Sequence, residues 1–461
     1  MRKVNIRTWM MTAAFAVLSS TGFTSCSDDD GPSYSNAAVQ NSELRTILTQ
    51  KGYQFNEQGK LLIDDMANST TSLDLSGTNI SQDALSELGI LPNLTDVNLS
   101  DNGYTMRFDF SKLPSQITGV DLRGNELYEF PGLLNIVTKE NGDEDVTVLH
   151  PLTRLYLPNS AKYNCDELPT FFAQKVCPDM QMANANGTLE AYNTLREVPD
   201  DAFRAILKET FGSMFNNEFI DISRRLVLAG EKNKAIQIRQ TDMLNVKTVE
   251  GFQYIAQNKG YEGNDIELGT LEPTTIPYLK LNANIYKIGF QNINTPNGID
   301  LSKSVNLCMI AMTHNSGIVT LDLSASTQLG QRNDDVEFAT MDTPSFISID
   351  CCDNLQEIIF PEKAKTIYEL QLSGLPSLKT INLSQFEAMG NLSLGAIPNT
   401  DLTYFTPTRY PMGKLSFAID EPVYLRQETK DFLDKYHENM KQISLLTDAD
   451  TKTYRWSKNY Q

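Results

Sequence analysis

Histidine is almost absent from this chain, and the three that occur, His150, His314 and His437, lie far apart with no second ligand at metal-binding spacing. A zinc site of the His-Glu-x-x-His kind is therefore not written here. Tryptophan occurs only at Trp9 and Trp456, which would leave any sugar-stacking surface to tyrosine. There is no Gly-x-Ser-x-Gly nucleophile turn and no glycine-rich phosphate loop with its lysine. His314 follows Cys308 closely, but a strand-and-turn frame offers no cleft between them. Positive charge is short as well: 39 Lys and Arg face 58 Asp and Glu, a net charge of −19. That balance opposes binding to nucleic acid or to a bare anionic membrane surface. After the first 25 residues no apolar run approaches the length of a spanning helix. A carboxylate pair acting on a glycosidic bond could hide among so many acids, yet nothing marks one. The reading is a protein that is not an enzyme, with no cofactor and no metal.

What is present is a period. Leu73-Asp74-Leu75 is followed three places on by Thr78; Val97-Asn98-Leu99 is followed by Asn102, and Val120-Asp121-Leu122 by Asn125. The steps are 97 − 73 = 24 and 120 − 97 = 23. In extended backbone Leu73 and Leu75 point to one face and Asp74 to the other, so one such strand cannot shelter its own apolar side; the next must do so. Asn102 and Asn125 sit where a buried amide can satisfy backbone groups of adjacent windings. This is the pattern of a leucine-rich repeat, and it predicts a strand-dominated α/β chain of stacked parallel strands.

Two starts are visible. Ser42 reads as an N-cap before Leu44, Ile47 and Leu48, and Asp200 stands in the same relation to Phe203, Ile206 and Leu207. A first repeat follows each helix: Leu73 to Ile80 in one case, and Ile236-Gln237-Ile238 with Thr241 and Met243 in the other. The match runs on through Leu85, Leu88 and Leu91 and, one residue displaced, Val249, Phe252 and Ile255. Two tandem leucine-rich-repeat solenoids follow, each begun by a short helical cap. The predicted boundaries are residues 41–190 for the first array, 191–198 for a linker, 199–425 for the second array and 426–461 for a closing helix and tail. In the second array the spacing suggests two interleaved ladders, Ile299, Leu321, Ile347, Leu370, Leu392 and Leu415, and Val336, Ile358, Ile381 and Tyr404. The frame is lost after Leu415, and Phe432, Leu433, Tyr436 and Met440 take helical spacing. The run Asn141-Gly142-Asp143-Glu144-Asp145 reads as a surface insertion, since an EF-hand ligand frame is lacking.

The address is at the front. Arg2, Lys3 and Arg7, an apolar centre from Trp9 to Leu18, and Phe23-Thr24-Ser25 before Cys26 read as a signal peptide over residues 1–25. Its loss would leave 36 basic against 58 acidic residues, net −22. Cys26 resembles the lipidated cysteine of bacterial lipoproteins, and Ser27-Asp28-Asp29-Asp30 looks like the export signal of some Gram-negative surface lipoproteins. The resemblance implies an outer-membrane lipoprotein facing the exterior, held by lipid alone, with residues 26–40 as acidic and flexible tether. Five further cysteines, an odd number, leave at least one thiol free; Cys165 and Cys177 are close enough in sequence to bridge. Cys352 falls on the turn position that accepts Asn or Cys, a structural place.

The start Asp200-Asp201-Ala202-Phe203-Arg204-Ala205-Ile206-Leu207 resembles the helical caps of internalin-like bacterial surface leucine-rich-repeat proteins. The resemblance implies adhesion to, or interaction with, a macromolecule at the cell surface. Outward strand positions form the candidate binding face: Asp74, Asp96, Asn98, Asp121, Arg154 and Tyr156 in the first array, and Lys280, Asp300, Asp322, Ser348, Gln371 and Ser393 in the second. The expected partner is a protein; the alternative is a glycan, captured by an accessory lipoprotein for carbohydrate uptake.

Overall fold

The computed structural model describes residues 32–139, 144–226, 235–238, 245–258, 260–261, 263, 265–330, 345–408, 415–446 and 452–454. Cys26 with the whole of residues 1–31, Thr241, Met243 and Val336 lie outside them. The chain is α/β and strand-rich, with several sheets, none of them closed. It divides after Ser69 into two compact units.

In the first unit Tyr34–Ala38 pairs antiparallel with Lys60–Leu62, so the second half of the expected tether is a strand. The Ser35 hydroxyl helps to fix it by accepting the Leu61 N–H at 2.9 Å. Helix Ser42–Gln50 buries Leu44, Ile47 and Leu48 as its spacing predicts. Its cap is Asn41 rather than Ser42: Asn41 is the last extended residue, and its Oδ1 accepts the Leu44 N–H at 2.9 Å.

The second unit opens with a six-stranded sheet. Ser72–Asp74, Asp96–Asn98, Gly119–Asp121, Arg154–Leu157 and Asp179–Ala183 follow one another in chain order, all parallel, and Leu189–Ala191 closes the sheet antiparallel. Leu73, Val97, Val120, Leu155 and Met180 stand side by side across it. All five are buried, whereas Ser72 and Asp74 are exposed. The surface insertion is an antiparallel hairpin, Leu134–Thr138 with Glu144–Val148. The predicted linker is not loose: Leu195–Arg196 pairs with Phe219–Asp221, and Tyr192, Arg196 and Val198 are buried. Helix Asp201–Phe211 follows, capped by Asp200, whose Oδ1 accepts the Phe203 N–H at 2.9 Å and whose Oδ2 accepts the Lys247 N–H at 2.8 Å.

From there two series of strands alternate along the chain. One makes a ten-stranded sheet: Ala235–Ile238, Asp265–Thr275, Lys287–Asn294, Met309–Thr313, Phe346–Asp350, Thr366–Ser373, Ala388–Gly395, Leu415–Asp420 and Met440–Leu446 run parallel, and Lys452–Tyr454 ends it antiparallel. The other makes short parallel pairs, with Leu279 beside Ile299, Leu321 beside Ile358, and Ile381 beside Leu402. The predicted ladders joined pieces of both. Ile299 and Leu321 belong to the short series, whereas Ile347, Leu370, Leu392 and Leu415 belong to the large sheet, where Phe417 rather than Leu415 stands opposite Leu392. Tyr404 likewise lies two places beyond the true partner, Leu402.

The cause is extra chain. Leu321 to Ile358 and Ile310 to Ile347 are each 37 residues, against 22 for Ile288 to Ile310. An excess of 37 − 22 = 15 residues, about two thirds of a period, carries a fixed spacing from one series onto the other. The predicted closing helix is also shorter. It spans Gln427–Tyr436 and buries Phe432 and Leu433, and Met440 begins a further strand of the sheet, so the frame does not stop at Leu415. One apolar core runs beneath this sheet and reaches Tyr128, Tyr163 and Cys165 of the preceding array.

His150 is buried, with Nε2 2.7 Å from the Ile117 carbonyl, and burial holds its imidazole below the ordinary histidine range. The unfolded chain then takes up a proton near pH 6.5 that the folded chain resists, so this contribution is complete above that pH and is lost as pH falls. The urea midpoint should drop between pH 7 and 5.5. In His150→Gln, less stable at pH 7, it should drop by less; equal slopes would remove the assignment.

Candidate functional site

Most of the outward residues predicted to bind have a local task. Asp74 Oδ1 accepts the Ser76 N–H at 3.0 Å, Asn98 the Ser100 N–H at 3.1 Å, and Asp121 the Arg123 N–H at 3.1 Å. Asp300 does the same for Ser302 at 2.8 Å, Asp322 for Ser324 at 2.9 Å, and Asn382 for Ser384 at 3.0 Å. Each bends the chain out of its strand by closing a turn with its own side chain. The signal was in the sequence: an Asx between two apolar residues, with Ser or Arg two places on.

On the six-stranded sheet the remaining outward groups are tied across strands. Arg154 forms a fork with Asp96, Nε to Oδ2 at 2.9 Å and Nη2 to Oδ1 at 2.5 Å. The pair reaches over the intervening strand, which carries Gly119 at that place; a Cβ there would stand 2.0 Å from Asp96 Oδ2. Tyr156 donates its hydroxyl to Asp179 Oδ2 at 2.8 Å. The Arg154 and Arg123 guanidinium carbons lie 4.6 and 5.7 Å from its ring centre. Arg123 also grips Asp121, Nη2 to Oδ2 at 2.6 Å, and that hydrogen bond raises the Arg123 pKa further. Gln181 completes the row by donating to Asp179 Oδ1 at 2.6 Å. Spacing alone could not reveal Asp179 or the approach of Arg123 to Tyr156, because those partners lie on other strands. Gln371 is elsewhere, on the ten-stranded sheet between Ser348 and Ser393.

Lys280 and Asp300 are not on an open face. They face each other at 3.2 Å on neighbouring short strands, and Lys280 also reaches Glu129 of the preceding array at 3.3 Å. Glu129 is buried; it binds Arg107 at 3.0 Å and accepts the Tyr278 hydroxyl at 2.8 Å. Burial works against the Asp300 carboxylate, but Ser302 and Lys280 hold it below the usual range. Beside this cluster the rings of Tyr254, Tyr163, Tyr128 and Tyr278 form a buried column, with successive centres 6.1, 6.2 and 4.8 Å apart and planes within 24°. This is how the two arrays join. No protein-family model and no curated protein matches the chain.

A ladder of side chains runs along the turns. Asn102 Nδ2 donates to the Leu75 carbonyl at 2.9 Å, Asn125 Nδ2 to the Leu99 carbonyl at 3.0 Å, and Asn315 Nδ2 to the Phe290 carbonyl at 2.8 Å. The Cys352 thiol approaches the Met312 carbonyl at 4.0 Å from the equivalent place. Asn315 was missed, although it stands three places after Met312 as Asn102 does after Leu99. All five described cysteines are free thiols, so Cys165 and Cys177 are not bridged. Burial pushes Cys352 and Cys308 up to about 11 and Cys165 up to about 12, which keeps these sulfurs protonated and unreactive at neutral pH. Among the described residues no group of three or more His, Cys, Asp or Glu could hold a metal, and no helix is long and apolar enough to cross a membrane.

Proposed function

We propose that this chain is a surface lipoprotein of the leucine-rich-repeat type, anchored through Cys26 at the outer membrane, which recognises a protein partner without catalysing a reaction. Parallel strands in register at steps of 24 and 23, with an amide ladder along their turns, support the repeat reading. The binding face is the outward side of the six-stranded sheet. The observation that carries it is Tyr156, set beside two guanidiniums whose own charges are already tied to Asp96 and Asp121. Tyrosine and arginine dominate the energetics of protein interfaces, and side chains already fixed lose little freedom on docking. The glycan alternative would need a stacked aromatic platform in the open, whereas the stacked tyrosines here are buried.

The test is a protein array probed with the chain from Pro32 onward, which keeps the strand Tyr34–Ala38. Tyr156→Ala should weaken the tightest partner by about 30-fold, near 2 kcal/mol, while Ser348→Ala on the other sheet leaves it unchanged. Equal binding by wild type and Tyr156→Ala would move the site elsewhere.

A further inference from the structure

A cleft of about 460 Å³ lies at the join of the two arrays, apart from the strand face, with Met182, Glu190, Arg196, Glu197, Phe219 and Tyr254 in its walls. Two strands that are outermost among the described residues border it. There Leu189–Ala191 has one neighbour, Asp179–Ala183, and Leu195–Arg196 has one neighbour, Phe219–Asp221.

Their free edges differ. The Tyr192 N–H donates to the Met180 carbonyl and the Asn184 N–H to the Thr188 carbonyl. Alternation then turns the N–H and C=O groups of Leu189 and Ala191 away from the sheet. On the second strand the corresponding groups of Leu195 are taken, the N–H by Asn193 Oδ1 at 2.9 Å and the carbonyl by Arg196 Nη1 at 3.0 Å. Among the described residues one edge is thus closed by its own side chains and the other is open. An open edge is a template for another strand.

The charges say which strand. Lys162 is held by Glu250 at 2.9 Å, and Glu250 also accepts the Tyr163 hydroxyl at 2.7 Å. Arg196 is buried and spends its donors on the carbonyls of Lys162, Asn193 and Leu195 and on the Tyr192 hydroxyl. Both cations of the cleft are therefore engaged. Its exposed acids are not: Glu190 receives only the Asn184 amide at 2.7 Å, and no hydrogen bond or ion pair holds Glu197 among the described residues. Beside them Leu195 and Phe219 are 37% and 43% exposed, large apolar side chains left at the mouth.

We propose that the Leu189–Ala191 edge takes up an extended segment of a partner protein that alternates basic and apolar residues. The segment would add to the sheet as a strand, with its lysines or arginines toward Glu190 and Glu197 and its apolar side chains on Leu195 and Phe219.

The probe is a labelled, end-blocked Thr-Lys-Val-Lys-Val-Lys-Thr peptide, titrated by fluorescence anisotropy against the full chain at physiological salt. Its partner control is Thr-Glu-Val-Glu-Val-Glu-Thr. The lysine peptide should bind saturably and the glutamate peptide should not. Ala191→Pro deletes an N–H that the sheet does not use, and the exposed double variant Glu190→Lys/Glu197→Lys reverses the local charge; each should weaken binding by about tenfold or more. Tyr156→Ala should leave it unchanged, which separates this edge from the strand face. Absence of saturable binding would overturn the proposal. So would equal affinity in both edge variants, which would mark general attraction to an acidic chain. Self-association of the chain that Ala191→Pro abolishes would also overturn it, by assigning the edge to a second copy.

Discussion

Replacing Asn125 with alanine should lower the unfolding free energy by about 3–5 kcal/mol, the sum of several stranded backbone groups at about 1–3 kcal/mol each, partly relieved by water. One buried amide serves five neighbours. Its Oδ1 accepts the N–H groups of Asn102 and Tyr104, both at 3.1 Å, and its Nδ2 donates to the carbonyls of Leu99, Leu122 and Arg123 at 3.0, 2.9 and 3.3 Å. These groups lie where the chain turns from one strand toward the next, and of the three carbonyls that of Arg123 also accepts the Asp101 N–H at 2.9 Å. Urea unfolding of the chain from Pro32 onward provides the measure. Asn98→Ala is the contrast: it removes a single hydrogen bond at a half-exposed turn and should cost about 0.5–1.5 kcal/mol. Asn125→Asp keeps the acceptor but sets a buried carboxylate oxygen against three carbonyls, so at neutral pH it should cost at least as much as the alanine variant. A loss below about 1 kcal/mol for Asn125→Ala would show that water replaces the amide and that the ladder contributes little.

The second large effect is expected at the join. Glu129→Ala leaves the buried Tyr278 hydroxyl and part of the charge of Lys280 without an acceptor, while the exposed Arg107 turns to water, and removing one partner from such a buried cluster costs about 3–5 kcal/mol. Glu129→Gln, which keeps the shape and can still accept from Tyr278, should cost less. Acid should act in the same direction as the alanine variant. Asp300 titrates below the ordinary carboxylate range in the folded chain, so its contribution is complete above about pH 4 and is lost as pH falls through the folded value. The sensitive readout is limited proteolysis between residues 184 and 200, where a loosened join exposes backbone that is paired in the intact protein. If Glu129→Ala unfolds at the wild-type urea concentration, the tyrosine column alone holds the arrays together.

The sequence was most legible where one rule repeats without interruption. Leu73, Val97 and Val120 are neighbours because the inward side of a strand needs cover from the next, and that need fixes spacing and residue type together. It was least legible where the same residue type serves two purposes. Asp74, Asp121 and Asp322 look like a charged surface, yet in each the nearest backbone N–H captures a carboxylate oxygen before any ligand could. Lys280 and Asp300 show another limit: spacing reads them as outward, but Glu129 of the preceding array meets Lys280 from 151 positions away. The alternating strand series was lost for a third reason, since an insertion of about two thirds of a period carries the apparent rhythm from one side onto the other. Tyr156 and Arg154 were legible as outward residues; their coupling to Asp179 and Asp96 depended on partners from different strands.

The bridge between Arg154 and Asp96 also bears on how the chain finds its pairing. It passes over a strand whose only residue without a side chain lies directly beneath it. Were that strand displaced by one position during assembly, Thr118 or Val120 would stand under the clasp and keep the two charges apart. Misaligned arrangements therefore forfeit the tie, and the correct one is selected by steric proofreading before any partner is met.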